Sequence, residues 1–130
     1  LQYRTYHGCA MPIHHQLGSI AAWSDEQHVK TNRQQYRDKF AAVLAELEGH
    51  LPVAAPDAGF YLWPQTPISD TEFARQLYAE ENVIVLPGRF LARESAGINP
   101  GENRVRMALV ATIEDCVEAA QRIVHRLEKF

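Results

Sequence analysis

The sequence predicts an α+β domain in which a sheet of three or four strands is covered by helices on one face. Three observations carry this. Stretches with apolar residues at helical spacing are separated by short β-rich runs, "GFYLWP", "VIVLPG" and "RVRMALV". Gly, Pro and polar clusters bound those runs. With 130 residues the chain is long enough for one domain with a core of its own.

Residues 12–23, "PIHHQLGSIAAW", start with Pro12, a favourable first helical residue, and carry an apolar face of Leu17, Ile20, Ala21 and Trp23. Ser24 or Asp25 caps the next helix, whose apolar positions Val29, Tyr36, Phe40, Val43, Leu44 and Leu47 keep helical spacing up to Gly49. Its first half is almost entirely polar, which suits a helix joining two bodies. "LPVAAP" is expected as an edge strand bounded by prolines, and "GFYLWP" as an aromatic strand stopped by Pro64. "SDTEFARQLYAEEN" is a helix capped by Ser69 or Asp70, with Phe73, Leu77 and Tyr78 as its buried stripe. "VIVLPG" reads as a strand buried on both faces, and residues 89–103 as a loop rich in Gly and polar residues. After the strand "RVRMALV", Thr112 caps a last helix whose first turn holds Glu114 and Asp115.

Composition narrows the function. A net charge of −3 gives no basic footprint, so no nucleic-acid partner is expected. No run approaches the roughly 18 apolar residues of a membrane span and no signal peptide is visible, so a cytoplasmic location without a membrane partner is expected. The two cysteines, Cys9 and Cys116, read as reduced thiols, with Cys116 a small packing residue. His14 and His15 are sequence neighbours, about 100° apart on a helix, and no His-x-x-x-His or Cys-x-x-Cys spacing occurs, so no metal site is expected. No Gly-x-Ser-x-Gly frame offers a nucleophile, and no catalytic residue is assigned.

The strand "RVRMALV" is the unusual one. Alternation places Arg104, Arg106 and Ala108 on one face, and Val105, Met107 and Leu109 on the other. Two readings stand: solvated arginines on an outer strand, or a clamp for a carboxylate or phosphate, since Arg offers a rigid bidentate fork.

Taken in order, "AGFYLW", "VIVLPGRFLA" and "GENRVRMALV" resemble the small C-terminal domain of fold-type I pyridoxal-phosphate aminotransferases. "YRTYHGCAMP" and "NRVRMALV" are most similar to bacterial N-succinyldiaminopimelate aminotransferases. The resemblance implies that residues 1–28 belong to the large cofactor-binding domain, and 29–130, with the long interdomain helix, to the small domain. It implies that Arg106 holds the substrate carboxylate and that Phe60 lies near the substrate. It implies pyridoxal 5'-phosphate as cofactor and a homodimer. The reaction implied moves an amino group between an amino acid, such as N-succinyl-LL-2,6-diaminopimelate of lysine biosynthesis, and 2-oxoglutarate as the 2-oxo-acid substrate. In that family a Schiff-base lysine anchors the cofactor, and neither Lys30, Lys39 nor Lys129 stands where it would be. The chain is therefore expected to be the C-terminal part of such an enzyme, inactive alone. A stand-alone amino-acid-binding regulatory module, an aromatic aminotransferase and a carbon–sulfur lyase remain as alternatives.

Overall fold

A computed structural model describes residues 2–8 and 10–130, with Arg4 described by its backbone alone. Cys9 lies outside the described residues. The chain divides into two compact units, Leu1–Gln34 and Gln35–Phe130.

The first unit is helical. It holds α1 (Gln2–Tyr6), α2 (Ile13–Ser24) and the first turns of α3 (Glu26–Leu47). Asp25 separates α2 from α3 and its carboxylate accepts the Gln27 N–H at 2.9 Å, an N-terminal cap. The expected apolar face of α2 forms, yet no residue of α2 is buried, and Trp23 is 84 % exposed.

The second unit contains the core. β1 (Tyr61–Leu62), β2 (Leu86–Pro87) and β3 (Val105–Ala108) form an antiparallel sheet in the order β1-β3-β2. Registers Tyr61↔Ala108 and Leu86↔Arg106 fix the pairing. Val105, Met107 and Leu109 are buried with Val43 and Leu47 of α3, Phe73 and Leu77 of α4 (Asp70–Glu81), and Ala120 and Ile123 of α5 (Ile113–Leu127). One sheet face thus carries the helices, as the alternation predicts. Thr112 caps α5 as expected, its hydroxyl accepting the Asp115 N–H at 3.2 Å. Cys116 is buried against the same core, and burial pushes its thiol pKa up.

Four expectations change. Residues 51–56, "LPVAAP", form no strand; Leu51 is buried, but the flanking prolines supply no N–H for a ladder. The run at 83–85 is not a strand buried on both faces: Val83 and Val85 point inward while Ile84 is 82 % exposed. Tyr78 is 62 % exposed, because the buried stripe of α4 runs through Asp70, Phe73, Leu77 and Glu81, and Tyr78 sits about 100° around the helix from Leu77. β3 is the central strand, so its arginines are not on an outer edge.

Candidate functional site

The face of the sheet opposite the helices opens on a recess of about 700 Å³, within the range of small-molecule sites. Arg104 and Arg106 of the β3 strand region line it, with Tyr61, Trp63, Leu91 and Pro100. No lining residue is acidic.

Backbone contacts build the frame. Gly88 and Gly101 touch so closely that a Cβ at either would overlap the other's carbonyl group. Gly88 donates its N–H to the Arg104 carbonyl at 2.7 Å, and Thr66 donates to the Asn103 carbonyl at 2.8 Å. Only glycine permits this approach, which brings the turn after β2 against the turn before β3. Asp70, at the first position of α4 and 0 % exposed, holds the same turn from below. Its carboxylate accepts the Arg89 backbone N–H at 3.0 Å and the Arg89 guanidinium Nε–H at 2.7 Å. Burial alone would raise the Asp70 pKa; the Arg89 N–H and guanidinium outweigh it and hold the carboxyl below its ordinary value.

Arg106 is different. Its Nε is buried and makes no hydrogen bond, and no ion pair or hydrogen bond to its side chain is found among the described residues. Arg126 Nε also lacks a hydrogen bond, but it lies 3.4 Å from a Glu80 carboxylate oxygen, and the same guanidinium sits over the Phe130 ring and bonds Gln76. Arg106 has no such internal compensation. A buried guanidinium nitrogen without a partner, facing a recess without acids, is the arrangement in which an anion would offset the cost of burial.

The expected wall residue Phe60 stands apart from the recess lining. It is 43 % exposed, its carbonyl accepts the Leu109 N–H, and its ring meets Tyr61 edge-on at 5.7 Å. The aromatic walls are Tyr61 and Trp63, from the run expected as an aromatic strand. The signal was available in the alternation of "YLW", which sets 61 and 63 on one side of buried Leu62. The Asp70–Arg89 pair, separated by 19 positions, and the Gly88–Gly101 contact carry no such signal.

Fold and site together define a small α+β domain with an arginine-lined recess on one sheet face, and the comparisons give its class. Residues 4–123 match the family described as aminotransferase class I and II, and the chain belongs to that family. Its backbone superposes on an aminotransferase from Neisseria meningitidis with a TM-score of 0.89 and 52 % identity, covering 96 % of this chain and 32 % of that one. The probable N-succinyldiaminopimelate aminotransferase of Thermus thermophilus is 33 % identical with a TM-score of 0.69, covering 83 % of this chain and 28 % of that one. A 4-dedimethylamino-4-oxo-anhydrotetracycline transaminase from Streptomyces rimosus is 32 % identical over 124 residues, which is 95 % of this chain and 33 % of the relative. The chain spans about a third of the length of that curated relative.

Proposed function

We propose that this segment supplies the substrate-carboxylate half of the active site of a pyridoxal-phosphate-dependent aminotransferase, with Arg106 as the clamp. The observation that carries the proposal is the buried, unpartnered Arg106 Nε in a recess without acids. In its plane the guanidinium offers two parallel N–H donors, matched to a carboxylate. Phe60, exposed beside Tyr61, is proposed to meet the substrate further from the clamp. The amino-group donor we favour is N-succinyl-LL-2,6-diaminopimelate with 2-oxoglutarate as acceptor, supported by the likeness to the Thermus thermophilus protein. A homodimer and a cytoplasmic location belong to the same reading.

The residues of this segment do not fit the cofactor's covalent anchor. Lys39 donates to the Leu109 carbonyl at 3.2 Å and lies over the Tyr36 ring, Lys129 bonds Glu81, and Lys30 is exposed on α3; none lines the recess. We therefore assign the cofactor's anchor to residues outside this segment. The exposed apolar side chains of α2, Ile13, Leu17, Ile20 and Trp23, support assigning residues 1–28 to the cofactor-binding body and 29–130 to the small domain.

The test is kinetic, in the enzyme that contains this segment. Losing one partner of a buried charge-assisted pair costs about 2–5 kcal/mol, so Arg106→Ala lowers kcat/KM roughly 30- to 4000-fold. Arg106→Lys keeps the charge without the fork and recovers only part. An unchanged kcat/KM for Arg106→Ala rules the clamp out.

A further inference from the structure

Asp70 does not line the recess, yet it is fully buried and both its carboxylate oxygens serve one residue. One oxygen accepts the Arg89 backbone N–H at 3.0 Å, the other the Arg89 Nε–H at 2.7 Å. Two charge-assisted bonds to the same residue fix direction as well as distance. The backbone bond falls on the peptide joining Gly88 to Arg89, and Gly88 itself donates to the Arg104 carbonyl at 2.7 Å. Leu86 and Pro87, immediately before, pair with Arg106 and Val105. Beyond, the Arg89 guanidinium lies 3.9 Å from the Glu102 carboxylate, in the turn that enters β3. The connections from Asp70 therefore end on the strand that carries Arg106. At their other end α4 is anchored by Phe73 and Leu77, both fully buried. For stability alone, a buried ion pair has little advantage over apolar side chains of the same volume. What this one adds is a fixed geometry between the helical layer and the turn.

We propose that Asp70 is a positioning residue for the clamp: through Arg89 and the Gly88 peptide it ties the turn after β2 to α4, and so sets the direction in which Arg106 meets its carboxylate. The proposal rests on the reading of Arg106 as the clamp. Asp70 itself touches no substrate. Without its hold, residues 86–88 can shift against β3, and a displacement of about 1 Å in a positioning group can lower a rate on the order of 100-fold.

A double-mutant cycle in the enzyme that contains this segment separates positioning from plain stability. kcat/KM is measured well below the melting temperature of every variant, with near-ultraviolet circular dichroism as the check on native packing. Asp70→Asn keeps the size and loses the charge. It is expected to lower kcat/KM at least about tenfold when Arg106 is present, and less than about twofold in the Arg106→Ala background. A clamp that has been removed cannot be misdirected. Arg89→Gln leaves the backbone bond to Asp70 in place and should show the same pattern at smaller size, with Arg89→Lys recovering part of the loss. If Asp70→Asn prevents folding, the Arg89→Gln cycle decides alone. Equal losses with and without Arg106 would show a general structural role and overturn the proposal. Full activity in the variant that decides the cycle overturns it as well. Failure of the clamp reading looks different: Arg106→Ala by itself then leaves kcat/KM unchanged.

Discussion

Buried charge is handled in opposite ways on the two sides of the second unit. Around α4 and α5 every buried ionic group has a counterpart. Asp70 is held by Arg89, Glu81 by Lys129 at 3.1 Å with His125 at 3.0 Å, and Arg126 by Gln76, Glu80 and the Phe130 ring. Across the sheet, among the described residues, half-buried Arg106 has none and half-buried Arg104 has only the neutral Trp63 carbonyl. The helical side closes its electrostatics within the fold, while the recess leaves its own open to a ligand. Under the proposed clamp, stability and binding fall to different side chains. What keeps the recess in shape is backbone, through the Gly88–Gly101 contact and the Gly88 to Arg104 hydrogen bond.

The sharpest way to break that division is at the backbone. Gly101→Ala forces a methyl group into the Gly88 carbonyl, with no flexible side chain to yield, and should cost about 3 kcal/mol or more, above the usual range for overpacking. Denaturant unfolding reads this directly, and a loss below about 1 kcal/mol would mean that the turns move apart freely.

Next in size is the paired side. Asp70→Ala removes the partner of Arg89, whose guanidinium keeps contact with water, so the cost is discounted from a fully buried pair to about 2–4 kcal/mol. The same carboxylate gives a pH signature. Because its folded-state pKa is depressed, its contribution is complete above the unfolded value of about 4 and is lost as pH falls through the folded one. Asp70→Asn should flatten the stability profile across that acidic window, while the profile above about pH 5 keeps its shape.

The recess side chain should behave in the opposite sense. Arg106→Met removes a half-buried cation whose buried Nε has no partner and keeps similar volume, so stability should change by no more than about 1 kcal/mol and can rise. Activity should nevertheless fall. A large stability loss from Arg106→Met would erase the distinction between the two sides. The smallest effect is expected at Arg75, paired with Glu72 on the exposed face of α4, where Arg75→Ala should leave the melting temperature unchanged.

Periodicity made much of this readable beforehand. The two-residue alternation of "RVRMALV" separates the core face from the face lining the recess, the helical spacing marks α3, α4 and α5, and Thr112 announces the last cap. Elsewhere composition misled. Ile84 is apolar yet outward, since only one side of its run is covered, and "LPVAAP" buries Leu51 without pairing as a strand. Asp70 and Glu81 lie on the buried stripe of α4, where sequence patterning expects apolar residues. Their partners come from Arg89, from His125 of α5 and from Lys129 just beyond it, distant in the chain, and no local pattern reports such pairings. The resemblance located Arg106, but its lack of a partner is visible only in three dimensions.

The Gly88–Gly101 contact also sets how the recess can move. The chain leaving β2 and the chain entering β3 meet backbone to backbone at Gly88 and Gly101, with the Arg89–Glu102 ion pair at 3.9 Å beside that contact. Opening there requires breaking the Gly88 N–H to Arg104 carbonyl bond. The floor beneath the arginines should therefore exchange its amide hydrogens with the slowest part of the domain, on the schedule of global unfolding and not of loop motion. A ligand arriving at the recess would then meet a surface already in its bound form, and the binding step would be governed by encounter and desolvation.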